Sequence, residues 1–260
     1  MTRQRGFALI VVLWTIVILA LLVSSLVGSA GREAKLSAAL RDLAAGRAAA
    51  DAVLSAAILD GLRSGAVPAV RRFGAMRVDV GVLDLSGRMN PNLASAVMLQ
   101  ALLTGLGAEP RAAESLAAAI VDWRTPGLSP SPHGAKAAAY RAAGMAYGPP
   151  GRPFENLDEL GYVLGMNPAL LAALKPHLTL WSTSDPDPAF ADAAVLVALR
   201  IGGAPPVASA NREARVLAMT AVATLPDAAR VTRRAVVRFG YSPDGRGWRV
   251  LAWDDGETAP

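Results

Sequence analysis

The 260-residue sequence predicts an α+β fold in which a long N-terminal helix packs on an antiparallel sheet that a large all-α insertion interrupts. Three observations predict this fold. Apolar residues recur at helical spacing up to about residue 62, alternation typical of strands occurs near 76–85 and again after 195, and the segment between is helical and punctuated by proline. The chain is long enough for one large domain or two small ones.

The N-terminal segment, MTRQRGFALIVVLWTIVILALLV, contains two arginines and Gly6 before Phe7, and then no charge over residues 7–27. An apolar helix of this length can cross a bilayer. A cleaved secretory signal is the alternative, because "VGSA" before Gly31 has small residues where such a cleavage site needs them. The usual apolar core of such signals is shorter, at about 7–15 residues.

Helical spacing continues beyond the apolar run, where Leu36, Leu40 and Leu43 fall on one face. No proline occurs before Pro68, and the isolated Gly46 weakens a helix without ending it. The spacing predicts one helix from about residue 8 to about residue 62, on the order of 80 Å long. A bilayer anchor followed by a separate amphipathic linker helix remains open as the alternative.

The middle of the chain starts with a predicted strand, "AMRVDVGVLDL", and a turn, "SGRMNPN". Helices are then predicted in "NLASAVMLQALLTGLG", "EPRAAESLAAAIVDW" and "NPALLAALKPHL", with Pro110 and Pro168 in first turns. Two stretches, "LLTGLGAEPRAAESLAAAI" and "FENLDELGYVLGMNPALLAAL", resemble helical hairpins with a glycine turn. The segment between them, rich in Pro, Gly and Ser, predicts a long irregular connection.

The C-terminal part predicts strands again. "AVLVALRI" is compatible with either a strand or a helix, whereas "EARVLAMTAVATL", "ARVTRRAVVRFG" and "WRVLAWDDG" predict an antiparallel meander. Such a meander can cover the upper half of the long helix. Arg233, Arg234 and Arg238 are interpreted as exposed strand residues rather than as a binding patch.

No grouping of catalytic residues is found in the sequence. The chain has no cysteine, its two histidines, His133 and His177, are far apart, and no phosphate-binding loop or nucleophile motif occurs. The basic residues that give the net charge of +5 are dispersed among acids, which gives little support to nucleic-acid binding. We therefore expect a protein that is not an enzyme and that has no cofactor.

The basic leader ending in Gly6, followed by Phe7 at the start of a long apolar helix, resembles a prepilin signal. The resemblance implies that prepilin peptidase cleaves after Gly6 and that the new terminus, Phe7, is N-methylated. Members of this family usually carry glutamate at the fifth position after the cut, where this chain has Val11. A subunit with Val11 offers no partner to the terminal amine of a neighbouring subunit, which favours a place at the end of a fibre.

Absence of that glutamate is typical of the type II secretion system protein K (GspK) family of minor pseudopilins. Segments at matching places strengthen the resemblance, namely "DLSGRMNPN", "IVDWR", "RPFENLDELGYVLGMNPALLAALKPHLT" and "RVLAW". It implies a pilin-like head with a SAM-like, helix-hairpin insertion. The predicted boundaries are a leader at 1–6, a transmembrane helix at 7–27, the rest of the long helix and the first strand at 28–85, the inserted α-helical domain at 86–190 and the C-terminal strands at 191–260.

The resemblance also implies a function, namely a minor pseudopilin at the tip of the type II secretion pseudopilus that initiates fibre assembly. The implied partners are the minor pseudopilins I and J, prepilin peptidase and the inner-membrane assembly platform. A single pass through the bacterial inner membrane would leave the head in the periplasm. Some members bind calcium through acidic residues after a position matching Asp122, but Thr125 and Ser129 follow here, so no metal is expected.

Two alternatives follow from other features. A membrane-anchored DNA-binding or uptake protein would use the helix-hairpin-helix turn near Gly165, although Asn167 replaces a glycine expected there and the neighbours are mainly acidic. A type IV minor pilin would share the leader, but Val11 and the helical insertion favour the secretion system.

Overall fold

The structure is a computed structural model, and it describes residues 4–64, 70–74, 76–203, 215–240 and 247–256. Within the first helix, side chains are described at 9–23 and 35–61. In this part of the chain the helices are α1 (Gln4–Ser64), α2 (Ala96–Gly105), α3 (Pro110–Arg124), α4 (Ala137–Ala142), α5 (Pro168–Leu174) and α6 (Ala193–Ile201). The strands are β1 (Val70–Phe73), β2 (Met76–Asp84), β3 (Val216–Thr224), β4 (Arg230–Phe239) and β5 (Trp248–Asp255). Short 3₁₀ helices span Leu157–Tyr162 and Lys175–His177.

The described strands form one antiparallel sheet whose spatial order follows the chain, β1-β2-β3-β4-β5. β2 and β3 are direct neighbours although the helical segment separates them in sequence. The α+β class and the C-terminal antiparallel meander are confirmed, whereas the sequence pattern did not reveal β1.

The second half of α1 packs on one face of the sheet. Its buried side chains are Ala49, Ala50, Val53, Leu54, Ala57 and Ile58, which recur at helical spacing. They meet alternate residues of the strands, namely Val78, Val80, Leu217, Met219, Ala221, Ala223, Ala235 and Val237. Burial of this apolar surface is the main favourable term that holds the helix on the sheet.

Gly46 marks the place where α1 reaches the sheet. A β-carbon at this position would lie 2.7 Å from Leu225 Cδ2 and 3.1 Å from Val231 Cγ2. The helix therefore approaches the β3–β4 connection more closely than a side chain would allow. Sequence reasoning treated Gly46 only as a weak point of the helix, and the structure gives it a packing role.

The helical insertion between β2 and β3 has a core of its own, which joins α2, α3 and α6. Trp123 stacks on Phe154 there, with ring centroids 6.1 Å apart and planes 6° apart. The largest fully buried residues of this core are Met89, Leu99, Leu102, Leu103, Ile120, Tyr140, Leu160, Leu174 and Leu178. The insertion is thus a separate packing unit attached to the sheet.

Local capping explains where the inserted helices begin. The Glu109 carboxylate accepts a hydrogen bond from the Ala112 amide at 2.9 Å, and Pro110 follows it. The Asn167 side chain accepts from the Leu170 amide at 2.8 Å, and Pro168 follows it. The predicted placement of both prolines in first turns is confirmed.

The structure corrects two local predictions and decides one that the sequence left open. The connection predicted as irregular contains α4, and "LDELGY" forms a 3₁₀ helix, with a capping box between Asn156 and Glu159, in place of a helical-hairpin arm. The segment left open between strand and helix is α6, because Asp192 caps its first amides. Since α6 packs against α2, the helical core extends beyond the boundary predicted at 190.

The direction of the strands defines the two ends of the head, by which we mean the sheet together with the second half of α1 that packs on it. β2 finishes at Asp84, which pairs with Leu217 near the start of β3. Gly46 of α1 lies at the opposite end of β3, beside Leu225. The N-terminal half of α1 therefore leaves the head at one end, and the insertion leaves it at the other.

Candidate assembly surfaces

The N-terminal half of α1 extends away from the head. Its described side chains at 9–23 and 35–45 are all exposed, and Gly46 is the first buried residue among them. At 1.5 Å per residue the helix up to that point is about 60 Å long. Large apolar side chains such as Trp14 (64 % exposed) and Leu21 (65 %) lie along it. A helix that is apolar all round is suited to burial by lipid or by other helices.

The predicted processing and assembly residues lie in this half. The backbone of Gly6 and Phe7 is within α1, but their side chains fall outside the described residues. Val11 is 46 % exposed and presents an uncharged surface. The roles assigned to these three residues stay predictions.

Among the residues that the structure describes, no helical segment combines the length and the apolar character that a membrane span needs. The span predicted at 7–27 extends beyond the described side chains at both of its ends.

A polar contact fixes α1 on the sheet next to the apolar core. The Asp51 carboxylate accepts hydrogen bonds from Arg233 Nε at 2.8 Å and from Trp253 Nε1 at 2.9 Å. Arg233 also donates to Asp255 of β5. The hydrogen bond to Asp51 is the main cause that raises the pKa of Arg233, which keeps the guanidinium charged. One arginine therefore links the helix to two strands.

The interpretation of the β4 arginines as exposed residues is wrong for two of them. Arg233 is largely covered because it faces α1, and Arg238 on the outer face donates to the Trp181 carbonyl at 2.8 Å. Arg234 is exposed as predicted. Alternating side-chain direction along the strand divides the three between the two faces.

The two ends of the insertion meet where it joins the sheet. Arg215 donates to the Asp84 carboxylate from Nε at 2.9 Å and from Nη2 at 2.6 Å, and its guanidinium lies 4.8 Å from the centre of the Phe190 ring. A β-carbon on Gly87 would collide with the Phe190 backbone at 2.1 Å. Close packing and an ion pair in which two Arg215 donors meet one oxygen of Asp84 thus fix the base of the insertion.

Segments that carry the family resemblance lie against one another. The Asn92 side chain accepts from the Phe154 amide at 2.8 Å and donates to the Phe154 carbonyl at 2.9 Å. Arg124 donates to the carbonyls of Pro91 and Ala94. "DLSGRMNPN", "IVDWR" and "RPFEN" therefore form one polar junction, a role that sequence reasoning did not assign to Asn92 or Arg124.

The loop after Asp122 is closed by a buried lysine. Lys136 is 6 % exposed, and its Nζ donates to the carbonyls of Asp122 at 2.5 Å and Thr125 at 2.6 Å. The Asp122 carboxylate accepts from the Ser131 amide at 3.1 Å. Among the described residues, no group of three or more acidic or histidine side chains could hold a metal ion.

The helix-hairpin turn lies beside a shallow groove of about 420 Å³ that the α2–α3 connection also lines. Gly165 has a φ of +93°, as the turn requires, and Asn167 serves as the cap of α5. The nearby Lys175 is paired with Asp158 at 2.6 Å, and Glu109 lines the groove. Within the described part of the chain, the one charged residue that lines the groove is thus an acid, which does not favour a phosphate there.

The two histidines lie far from each other in separate ion pairs. His177 Nδ1 lies 2.6 Å from Asp192 Oδ2, next to the cap of α6, and His133 Nε2 lies 3.7 Å from Glu114. The surface or capping role expected for His177 agrees with this contact.

Comparison with known proteins places these features in a family. Residues 78–183, which run from β2 through most of the insertion, match the family model of the type II secretion system (T2SS), protein K. This segment is a type II secretion protein K domain. The resemblance to the protein K family predicted from the sequence is thereby confirmed.

A solved structure shares the fold of this chain. It is the GspK-GspI-GspJ complex from the type 2 secretion system of enterotoxigenic Escherichia coli, with a TM-score of 0.63 and 17 % sequence identity. The match covers 87 % of this chain and 100 % of that chain. No curated protein matches the sequence. The protein K domain and the fold together support a minor pseudopilin of type II secretion.

Proposed function

We propose that this chain is the minor pseudopilin at the tip of the type II secretion pseudopilus, where it initiates fibre assembly for the export of folded proteins across the outer membrane. The protein K domain at 78–183 supports the secretion system, and the position of the insertion supports the tip.

The tip position rests on one observation, namely that the insertion and the N-terminal half of α1 lie at opposite ends of the sheet. The insertion leaves the sheet at Asp84, whereas α1 extends from the end near Leu225. In a fibre built from parallel α1 helices, the insertion would occupy the place of the next subunit above. Its well-packed core makes it too rigid to move aside. Other subunits can therefore be added only below this one, on the side of its α1 helix.

The partners we propose are the minor pseudopilins I and J. Support comes from the solved chain of similar fold, which is part of a GspK-GspI-GspJ complex. The exposed apolar half of α1 is the surface that we assign to helix packing inside the fibre. Before assembly, this half would anchor the chain by a single pass in the bacterial inner membrane, with the head in the periplasm and the assembly platform as a further partner. We propose no catalytic activity for the head.

N-terminal sequencing of the full chain after co-expression with prepilin peptidase tests the processing step. We expect the mature chain to start at Phe7 with a methylated amine, and the variant Gly6→Val to remain uncut. A start at Gly31 would indicate a secretory signal and would contradict the proposal.

Position in the fibre is tested by labelling the head of this chain in fibres sheared from cells. We expect label at one end of each fibre, while a shaft pseudopilin of the same system, labelled in the same way, decorates the whole length. Label of this chain along the shaft would rule out the tip position.

A further inference from the structure

A pocket of about 390 Å³ lies where the insertion meets the outer face of the sheet. Arg234 of β4 forms its wall on the sheet side, and Arg88, in the turn after β2, lies across from it. The half-buried apolar side chains of Leu157, Leu180 and Trp181 also line the pocket, together with the polar residues Asn156 and Thr179. The pocket therefore combines positive charge with an apolar surface.

The other charged groups of the pocket already have partners. Lys175 Nζ lies 2.6 Å from Asp158 Oδ1, and Glu155 Oε1 lies 3.0 Å from Arg152 Nη1. These two pairs neutralise their own charges, and neither leaves a carboxylate free for the two arginines.

Arg88 and Arg234 have no such partner. Within the described ranges no carboxylate lies at ion-pair distance from either guanidinium, although Asp254 pairs with Arg234 in strand register. Asp192 acts on Arg88 only at longer range and is itself bonded to His177. Partial burial and then the charge of Arg234 lower the pKa of Arg88. Two like charges thus line one pocket, with no carboxylate of the described residues at ion-pair distance and only Asp192 acting on Arg88 at longer range, so a bound anion would relieve their repulsion.

We propose that this pocket binds a carboxylate carried by an apolar peptide segment, held between Arg88 and Arg234. Arginine matches carboxylate geometry well, and partial burial strengthens such contacts. The half-buried Leu180 and Trp181 in the lining favour an acidic side chain with apolar neighbours over a free inorganic anion, which would leave their exposed apolar surface without a contact. That the segment belongs to a partner subunit rests on the proposed function; the carboxylate site itself rests on the pocket alone.

Calorimetric titration of the detergent-solubilised full chain tests the site. The probes are acetyl-Leu-Glu-Leu-amide, the matched peptide with glutamine in the middle, and inorganic phosphate. We expect the glutamate peptide to bind in a 1:1 ratio, and the other two probes to bind about tenfold more weakly or less well still.

Variants of the two arginines test whether these residues bind the carboxylate of the peptide. Arg88→Gln and Arg234→Gln should each weaken the glutamate peptide about tenfold or more. Arg230→Gln is the matched control, because Arg230 is exposed on the same face of β4 and does not line the pocket. Neither pocket variant should lower the thermal midpoint, since neither arginine side chain makes a hydrogen bond to the part of the chain that the structure describes and each substitution removes a repulsion.

Several results would overturn the site. The first is that the glutamate peptide does not bind. The second is that the glutamine peptide or phosphate binds with the same affinity as the glutamate peptide. The third is that Arg230→Gln weakens the glutamate peptide as much as the two pocket variants do. The proposed function is tested separately. If the mature chain starts at Gly31 but still binds the glutamate peptide, the carboxylate site is supported, while the proposal that a partner subunit supplies the carboxylate is contradicted.

Discussion

Lys136 illustrates how a single residue can organise a long connection. Its ammonium group is buried and satisfies the carbonyls of Asp122 and Thr125 at the end of α3. A buried charge is tolerated only when hydrogen bonds compensate for the lost hydration. The rest of the connection, including α4, can therefore fold back over the end of α3.

Replacement of this lysine tests its role. We expect Lys136→Met to lower the free energy of unfolding by about 2–4 kcal/mol, because two buried carbonyls lose a charged donor. Urea unfolding followed by circular dichroism measures the change. Lys175→Met removes an exposed pair with Asp158 and should change stability by at most about 1 kcal/mol. Equal midpoints for the two variants would refute the role of the buried ammonium.

Single residues were also the least predictable part of the sequence. The sequence around Lys136 gives no sign of its burial, because no local pattern shows that a lysine will be buried. Arg233 was likewise assigned to the exposed side of β4, since its partner Asp51 is distant in the sequence. Contacts of this kind depend on the tertiary fold, which periodicity does not encode.

Among the elements, α1 and the sheet meet most tightly at Gly46. We expect Gly46→Val to lower the free energy of unfolding by about 1–3 kcal/mol, because the added methyl groups overlap Leu225 and Val231. Ala45→Val, at an exposed position of the same helix, is the control and should cost less than about 1 kcal/mol. Thermal unfolding of the two variants measures the difference, and an equal effect would contradict close packing at Gly46.

The stability of helix α6 is expected to depend on pH through Asp192, which caps its first turn. Partial burial alone would raise the pKa of Asp192, but the amide of Val195 and the side chain of His177 outweigh it, so the net shift is downward. A carboxyl with a lowered pKa in the folded state stabilises the fold above its unfolded pKa, near 3.8, and loses that contribution as the pH falls through the lower folded value.

The comparison of Asp192→Asn with the unchanged chain isolates this titration, because asparagine also caps helices. We expect the variant to be less stable at pH 7 and the difference to shrink as the pH falls below about 4. Urea midpoints across this range give the result. A difference that stays constant with pH would show that the charge of Asp192 has no part in the stability of α6.

Elements with strong periodicity were predicted well. The long helix, β2, the C-terminal strands and the helices that begin with Pro110 and Pro168 all follow from spacing and capping residues. The segment "AVLVALRI" is short and apolar except for Arg200, so its pattern alone did not distinguish a strand from helix α6. β1 is too short, at four residues, to show alternation.

At the scale of the whole molecule, the tip position that we propose gives a test of Val11. Val11→Glu would place an acid in the packed helices with no subunit above to supply an amine. We expect this variant to lower the yield of fibres several-fold, and Val11→Leu to leave it unchanged. Immunoblots of sheared fibres measure the yield, with the cellular level of the chain as the control. Equal yields from the two variants would contradict the role proposed for Val11.

The backbone atoms at the base of the insertion have a consequence for how such a chain could arise. The Leu85 amide donates to the Val216 carbonyl at 2.8 Å, so the polypeptide departs from the sheet and returns to it through neighbouring atoms. A hairpin loop at this place can grow with little added closure entropy, because its ends are already held together. The whole helical segment can therefore be gained or lost while the ladder of β2 and β3 stays intact.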